Sequence, residues 1–125
     1  MKTIEIDKPA GVAASYFSAL MSSRKRPGVV KSLPKLTYAR PNVVLDPNHI
    51  ANYSKVCGFS AAHGVPITYP QMLTFPLLME FLSSDECPWP AMGTVHLANR
   101  IAQHQTLNSD DALRVEMKTG RLLTH

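Results

Sequence analysis

The stretch GVPITYPQMLTFPLLMEFLSSDECPWPAMGTVHLANR, from Gly64 to Arg100, decides the fold. Pro66 and Pro70 bracket a turn, and a helix is expected from Gln71 to Ser83. That helix is apolar on nearly every side, with Met72, Leu73, Phe75, Leu77, Leu78, Met79, Phe81 and Leu82. A helix without a polar face belongs in the interior on all sides. Pro76 either kinks it or marks where its regular part begins. After the Pro88-Trp89-Pro90 loop the pattern changes to period two. Val95, Leu97, Asn99, Ile101, Gln103 and Gln105 share one face, and Thr94, His96, Ala98, Arg100, Ala102 and His104 share the other. This alternation predicts a strand of about 13 residues over 93–106, well above the usual ~5–6. The expected class is α+β, an antiparallel sheet wrapped around one buried helix.

Toward the C-terminus, Asn108-Ser109-Asp110-Asp111 is a turn cluster. Leu113, Val115 and Met117 alternate again, Thr119-Gly120 reads as a tight hairpin turn, and Arg121–His125 starts another strand. Long strands with an open final edge invite pairing. A partner subunit or a further stretch of chain is therefore expected to cover that edge. Toward the N-terminus, residues 1–9 read as a loose lead-in. Ala10–Ser23 reads as a helix with Val12, Tyr16, Ala19 and Leu20 on one face and Phe17 and Met21 beside them. Pro27-Gly28 breaks the chain. Leu36 with Tyr38, and Val43-Val44, suggest two short extended pieces separated by Pro41. Asp46 is a suitable N-cap with Pro47 at the first helical position, and the helix 48–56 stops at Gly58. Residues 1–30 are thus read as a helical lead-in and 31–125 as the core of a single domain.

Composition narrows the function classes. A chain of 125 residues is one domain at most, and 45% hydrophobic with 18% charged residues is ordinary for a globular protein. No apolar run approaches the ~18 residues of a membrane span, so no membrane partner is expected. Of the net charge of +4, much comes from Arg24-Lys25-Arg26, read as a solvated helix end. Basic residues interleaved with aromatics are missing, so no nucleic-acid partner is expected. Cys57 and Cys87 have no ligand-type spacing and read as free thiols, with neither metal nor cofactor implied. The first residues lack the apolar core of a signal peptide, and a cytoplasmic location follows by default.

Four runs carry a resemblance: Tyr53-Ser54-Lys55-Val56-Cys57-Gly58-Phe59, Pro66-Ile67-Thr68-Tyr69-Pro70, Phe75-Pro76-Leu77-Leu78-Met79, and Met92-Gly93-Thr94-Val95-His96-Leu97-Ala98-Asn99-Arg100-Ile101. Together they resemble the MaoC-like acyl dehydratases and (R)-specific enoyl-CoA hydratases, most closely the first half of two-domain members. The resemblance implies a hot-dog fold, with Gln71–Ser83 as the central helix and 93–106 as a long neighbouring strand. It implies acyl-CoA or acyl-ACP thioesters as partners, and a second hot-dog domain or a homodimer partner. Active members add water to a trans-2-enoyl group or remove it from a 3-hydroxyacyl group, with an Asp and a His around one water. A helix N-terminus or backbone N–H polarises the thioester carbonyl.

The family holds that pair in a Gly-Asp-x-Asn-Pro-x-His stretch. Here it reads Gly58-Phe59-Ser60-Ala61-Ala62-His63-Gly64, so Phe59, Ala61 and Gly64 stand at the Asp, Asn and His positions. His63 is one residue off and lacks a carboxylate. No catalytic residue is assigned, and His63 remains a weak candidate. The resemblance implies a front domain that frames an acyl tunnel. Tyr69 and Gln71 at the mouth of the central helix, with Asn99 and Arg100 on the strand, are the substrate-binding candidates. Arg100 is the best single candidate for a phosphate or carboxylate contact. Asn99 also reads as a satisfied buried amide, and His96, Arg100 and His104 as a polar stripe at an interface. Asp46-Pro47-Asn48-His49 echoes the family pair but is fully explained as a helix start. Two alternatives stay open. One is a non-catalytic acyl-thioester binding or dimerisation module. The other is a hot-dog thioesterase using Glu80, the one acidic residue on the central helix.

Overall fold

The computed structural model describes residues 1–123. Its elements are β1 (Lys2–Glu5), α1 (Val12–Met21) running into a 3-10 turn (Ser22–Arg24), β2 (Leu36–Val44), α2 (Pro47–Cys57), a 3-10 turn (Ala61–His63), α3 (Pro70–Ser83) and β3 (Ala112–Lys118). The strands form one sheet in the order β1-β2-β3, with β1 parallel and β3 antiparallel to β2. The molecule is α+β, and a helix laid across an open sheet is consistent with a hot-dog fold, three strands of which are formed.

The N-terminal residues are not a loose lead-in. Lys2 pairs with Leu36 and Glu5 with Ala39, and the Ile6 N–H continues to the Ala39 carbonyl at 2.7 Å. Ile4 and Ile6, alternating with polar residues, turn to the core side of the sheet. The two extended pieces expected around Pro41 are one nine-residue strand. Pro41 has no N–H to give to a ladder, and the register against β3 slips between Arg40 and Val43. A bulge absorbs the proline, as edge and bulge positions usually do.

The local signals around α2 act as read. Asp46 Oδ1 accepts from the Asn48 N–H at 2.9 Å, Pro47 opens the helix, and Gly58 closes it at φ 77°. The main core lies between sheet and α3, where Leu36, Tyr38, Val43 and Val115 meet Leu77, Phe81 and Cys87. Tyr38 and Phe81 pack edge to face with ring centres 6.2 Å apart. A second cluster of Leu45, Ile50, Val65 and Tyr69 joins α2 to the start of α3.

Further expectations fail. Helix α3 is not buried all round: Leu77 and Phe81 are buried, but Met72 and Phe75 are each nearly half exposed. The sheet and α1 cover only part of its circumference. The long strand over 93–106 does not form. These residues carry no regular secondary structure, and every side chain from Met92 to Thr106 is exposed. A strand is defined by its ladder, and among the described residues nothing pairs with this stretch. The turn after it does close, with Asp111 N–H donating to the Asn108 carbonyl at 3.1 Å. Among the described residues Thr119-Gly120 makes no hairpin and 121–123 are irregular; Thr124 and His125, the end of the strand expected there, lie outside the described residues. Among the described residues, no helix is long and apolar enough to cross a membrane.

Candidate acyl-thioester cleft

A cleft of about 620 Å³ lies between the loop entering α3 and the extended stretch 99–107. Val65, Pro66 and Ile67 form one wall, Gln71 and Thr74 of the first turns of α3 the next, and Asn99, Arg100, Gln103 and Gln105 the opposite side. This size is ordinary for a ligand site, but the lining is not the apolar tunnel expected for an acyl chain. Four side-chain amides and one guanidinium offer donors and acceptors in quantity. Because no ladder enforces alternation, Asn99 and Arg100 both reach the cleft although they were assigned to opposite strand faces. His104, expected on the Arg100 face, lines it too. His96 instead bonds the Ala98 carbonyl through Nε2 at 2.8 Å.

Glu116 of β3 also lines the cleft. Arg114 Nε at 2.8 Å and Lys118 Nζ at 3.0 Å hold its charge. The Arg114 hydrogen bond, more than any other influence, keeps its carboxyl below the usual range, with Lys118 adding to the effect. Arg100 therefore faces a carboxylate that already has cationic partners.

The positive end of α3 faces the cleft, which favours an anionic or electron-rich ligand group there. Its N–H groups are less available. Pro70 has none, Gln71 N–H donates to the Thr68 carbonyl at 3.2 Å, and Met72 N–H to Tyr69 at 2.9 Å. The turn before the helix thus spends the donors that would polarise a thioester carbonyl.

Of the predicted site residues, Gln71, Asn99 and Arg100 come together, and Tyr69 does not join them. Tyr69 is 1% exposed, and its hydroxyl shares a 2.7 Å hydrogen bond with His49 Nδ1, behind the cleft wall. Burial, and secondarily the Asp46 charge, push its phenol above the ordinary value. Tyr53 completes this group, edge-on to Tyr69 at 5.4 Å and bonded to Thr68 Oγ1 at 2.7 Å. Asp46-Pro47-Asn48-His49 therefore contributes more than a cap, because its last residue anchors Tyr69. His63 sits exposed on the 3-10 turn. Glu80 Oε1 accepts from the Ala10 N–H at 3.2 Å and borders a recess of about 50 Å³, far too small for a thioester. Thr74, Gln103 and Gln105 were missed as lining; only their proximity in the fold reveals them.

No family model matches the chain, and no solved structure matches it. Over 93 residues, 74% of its length, it is 34% identical to a curated protein, the 3-hydroxyacyl-thioester dehydratase X of Mycobacterium tuberculosis. The match covers 33% of that protein, so the chain spans about a third of the length of the relative it resembles. Read with the four sequence runs and the helix-on-sheet core, this relationship shows that the chain belongs to the MaoC-like acyl dehydratase family.

Proposed function

We propose that this chain binds the carrier arm of an acyl-CoA or acyl-ACP thioester, framing a dehydratase site of fatty acyl metabolism without carrying out the hydration or dehydration itself. The observation that carries this reading is the convergence of Gln71, Asn99 and Arg100 on one cleft. A phosphopantetheine arm has two amides and ends in a phosphate. Amide side chains match the first, and a guanidinium matches the second. The non-catalytic part rests on chemistry. Hydration needs one group to take a proton from water and another to deliver one to carbon. Phe59, Ala61 and Gly64 supply neither, His63 has no carboxylate bonded to it among the described residues, and the first N–H groups of α3 are engaged.

The test is titration of the pure chain with butyryl-CoA, beside a hydration assay on crotonyl-CoA. We expect binding without turnover. Arg100 is exposed, so its loss removes a contact at the low end of charge-assisted bonds, about 1.5 kcal/mol, and Arg100→Ala weakens binding roughly tenfold. Enzyme-like hydration by the chain alone would sink the reading. So would binding indifferent to both Arg100→Ala and Gln71→Ala.

A pairing role is the second reading, and the stretch 93–106 favours it. Val95 and Leu97 are exposed on one side of an extended backbone that forms no ladder. A second hot-dog domain or a second copy would supply that ladder and bury those side chains. Sedimentation velocity with and without Leu97→Lys distinguishes a pairing chain, which dissociates on substitution, from one that is monomeric throughout.

A further inference from the structure

Helix α1 turns Ala19 and Ser15 toward α3 and leaves its large apolar residues exposed, together with Ala13, Ala14 and Ser18. Ala19 and Ser22 are buried, Ser15 is half-buried, and Ser15 and Ser18 border the recess shared with Met79, Glu80 and Ser83 of α3. Ser22 Oγ is fixed by donating to the Ala19 carbonyl at 2.6 Å and accepting from the Ala91 N–H at 2.9 Å. Small residues at the seam let the two helices approach closely. The opposite face presents Val12, Tyr16, Phe17 and Leu20, exposed by 75%, 65%, 65% and 58%, with Met21 beside them. With aromatic side chains of ~150–250 Å² each, these five expose on the order of 500 Å² of mostly apolar surface, at the upper end of what a free-standing protein shows.

The charge along the chain around α1 is segregated, although Asp85 shares a recess with Phe17 and Met21 at the end of this face. From Lys8 to Leu45 the chain has seven basic residues and no acidic one, whereas the remainder has six basic against nine acidic. The near-balance outside the Arg24-Lys25-Arg26 run therefore hides a division. Within the run the residues also differ. Lys25 turns inward, its Nζ donating to the carbonyls of Leu82 at 3.1 Å and Ser84 at 2.6 Å. Arg24 and Arg26 stay exposed at the end of the apolar face, as does Lys31 beyond them.

We propose that α1 docks this protein on the surface of an anionic lipid bilayer, with Tyr16, Phe17 and Leu20 entering the interface and Arg24 and Arg26 meeting the headgroups. A second copy is disfavoured as the occupant on two grounds. A stable protein contact buries ~800 Å² per partner, more than this face offers. A two-fold contact would also set two strongly basic segments against each other. A protein of another kind is disfavoured because such interfaces carry about one hydrogen bond per 100–200 Å², and of the five large side chains on this face Tyr16 alone carries a polar group. An interface of lipid asks for apolar depth, aromatic anchors and nearby cations, all of which are here. Such contact needs no membrane-spanning segment, and it extends the partner set beyond the carrier thioesters expected from the sequence.

The experiment is flotation of the whole chain with phosphatidylcholine vesicles, with and without phosphatidylglycerol. We expect flotation only with phosphatidylglycerol, weakening as salt is raised. The variants Tyr16→Ser/Phe17→Ser/Leu20→Ser and Arg24→Glu/Arg26→Glu should each reduce it at least tenfold. Both sets are exposed, and unchanged circular dichroism shows that folding survives. No flotation with either vesicle overturns the proposal, whether the chain instead self-associates or binds an acidic protein through α1. Flotation lost in the charge variant but kept in the apolar one also overturns it, because that is adsorption by charge alone.

Discussion

Replacing Tyr69 by Phe separates a wall residue from a ligand contact. The hydroxyl lies in a side chain that is 1% exposed, and its hydrogen bond is the 2.7 Å one to His49 Nδ1. His49 is itself exposed, so water can take over its ring nitrogen when the hydroxyl goes. The loss is then one net hydrogen bond, about 1 kcal/mol, without the added cost of a stranded buried group. Unfolding entropy of ~2.1 cal/mol/K per residue converts this to a fall in Tm of about 4 °C for a chain of this length. The pH dependence gives a second signature. Burial and the Asp46 charge raise the phenol pKa in the folded state, so above about pH 10 the folded protein keeps a proton that the unfolded chain releases. The ionisation of Tyr69 does not bear on stability below that range and costs stability as pH climbs through it. The advantage of the native protein over Tyr69→Phe, measured by urea denaturation, should therefore shrink between neutral and strongly alkaline pH. Butyryl-CoA binding should not change, because Tyr69 is buried and does not line the cleft. An unchanged Tm together with a tenfold loss of binding would refute the placement and put Tyr69 among the ligand contacts.

Two further substitutions test how the helices are closed. Lys25→Met removes the ammonium that bonds the carbonyls of Leu82 and Ser84, and should cost about 1 kcal/mol, discounted because Lys25 is only half-buried; faster hydrogen exchange near Cys87 and Ser84, with the middle of α3 unaffected, is the expected readout. Gly58→Ala meets no atom within 4 Å, so its cost is the backbone strain at φ 77° alone, about 1–2 kcal/mol and a Tm lower by several degrees; an unchanged Tm would mean that α2 does not end in a left-handed residue.

What the sequence made legible follows the range of the forces involved. Asp46-Pro47 and Gly58 act within one turn of their own helix, so both ends of α2 could be read from neighbours alone. The extent of α3 was nearly right for the same reason, and so was β3. Strand β1 was missed although Ile4 and Ile6 alternate, because four residues mean little until β2 lies beside them. Residues 93–106 show the opposite error. Their alternation is genuine, but periodicity describes which side chains would separate if a ladder existed and says nothing about whether one does. The candidate site divides along the same line. Gln71 is read at the mouth of the helix and Asn99 and Arg100 on the strand for their chemistry, and the fold places all three along one cleft. Tyr69 was chosen for the same position, yet depth is a property of what packs on top, and Leu45, Ile50 and Val65 bury it.

The apolar face of α1 extends this argument to function. Hydrophobic periodicity finds a face and leaves its direction open, and core-facing is the default reading. Here the default is reversed by residue size. Ser15, Ala19 and Ser22 permit a close seam with α3 that Tyr16 and Leu20 would prevent, so the large residues are left exposed, with Phe17 at the rim of a recess shared with Ser83 and Asp85. The same reversal occurs at Val95 and Leu97, which alternate like core residues and are exposed. Two apolar surfaces turned outward on one small domain put the driving force for association at two separate places. One adjoins the cleft lined by Gln71, Asn99 and Arg100; the other ends beside the exposed Arg24 and Arg26, with Asp85 near Phe17. Because hydrophobic gain is indifferent to partner while charge is not, Arg24 and Arg26 are what would make α1 selective for an anionic surface under the docking proposal, and the stretch 93–106, offering backbone bonds as well as side chains, would favour another polypeptide.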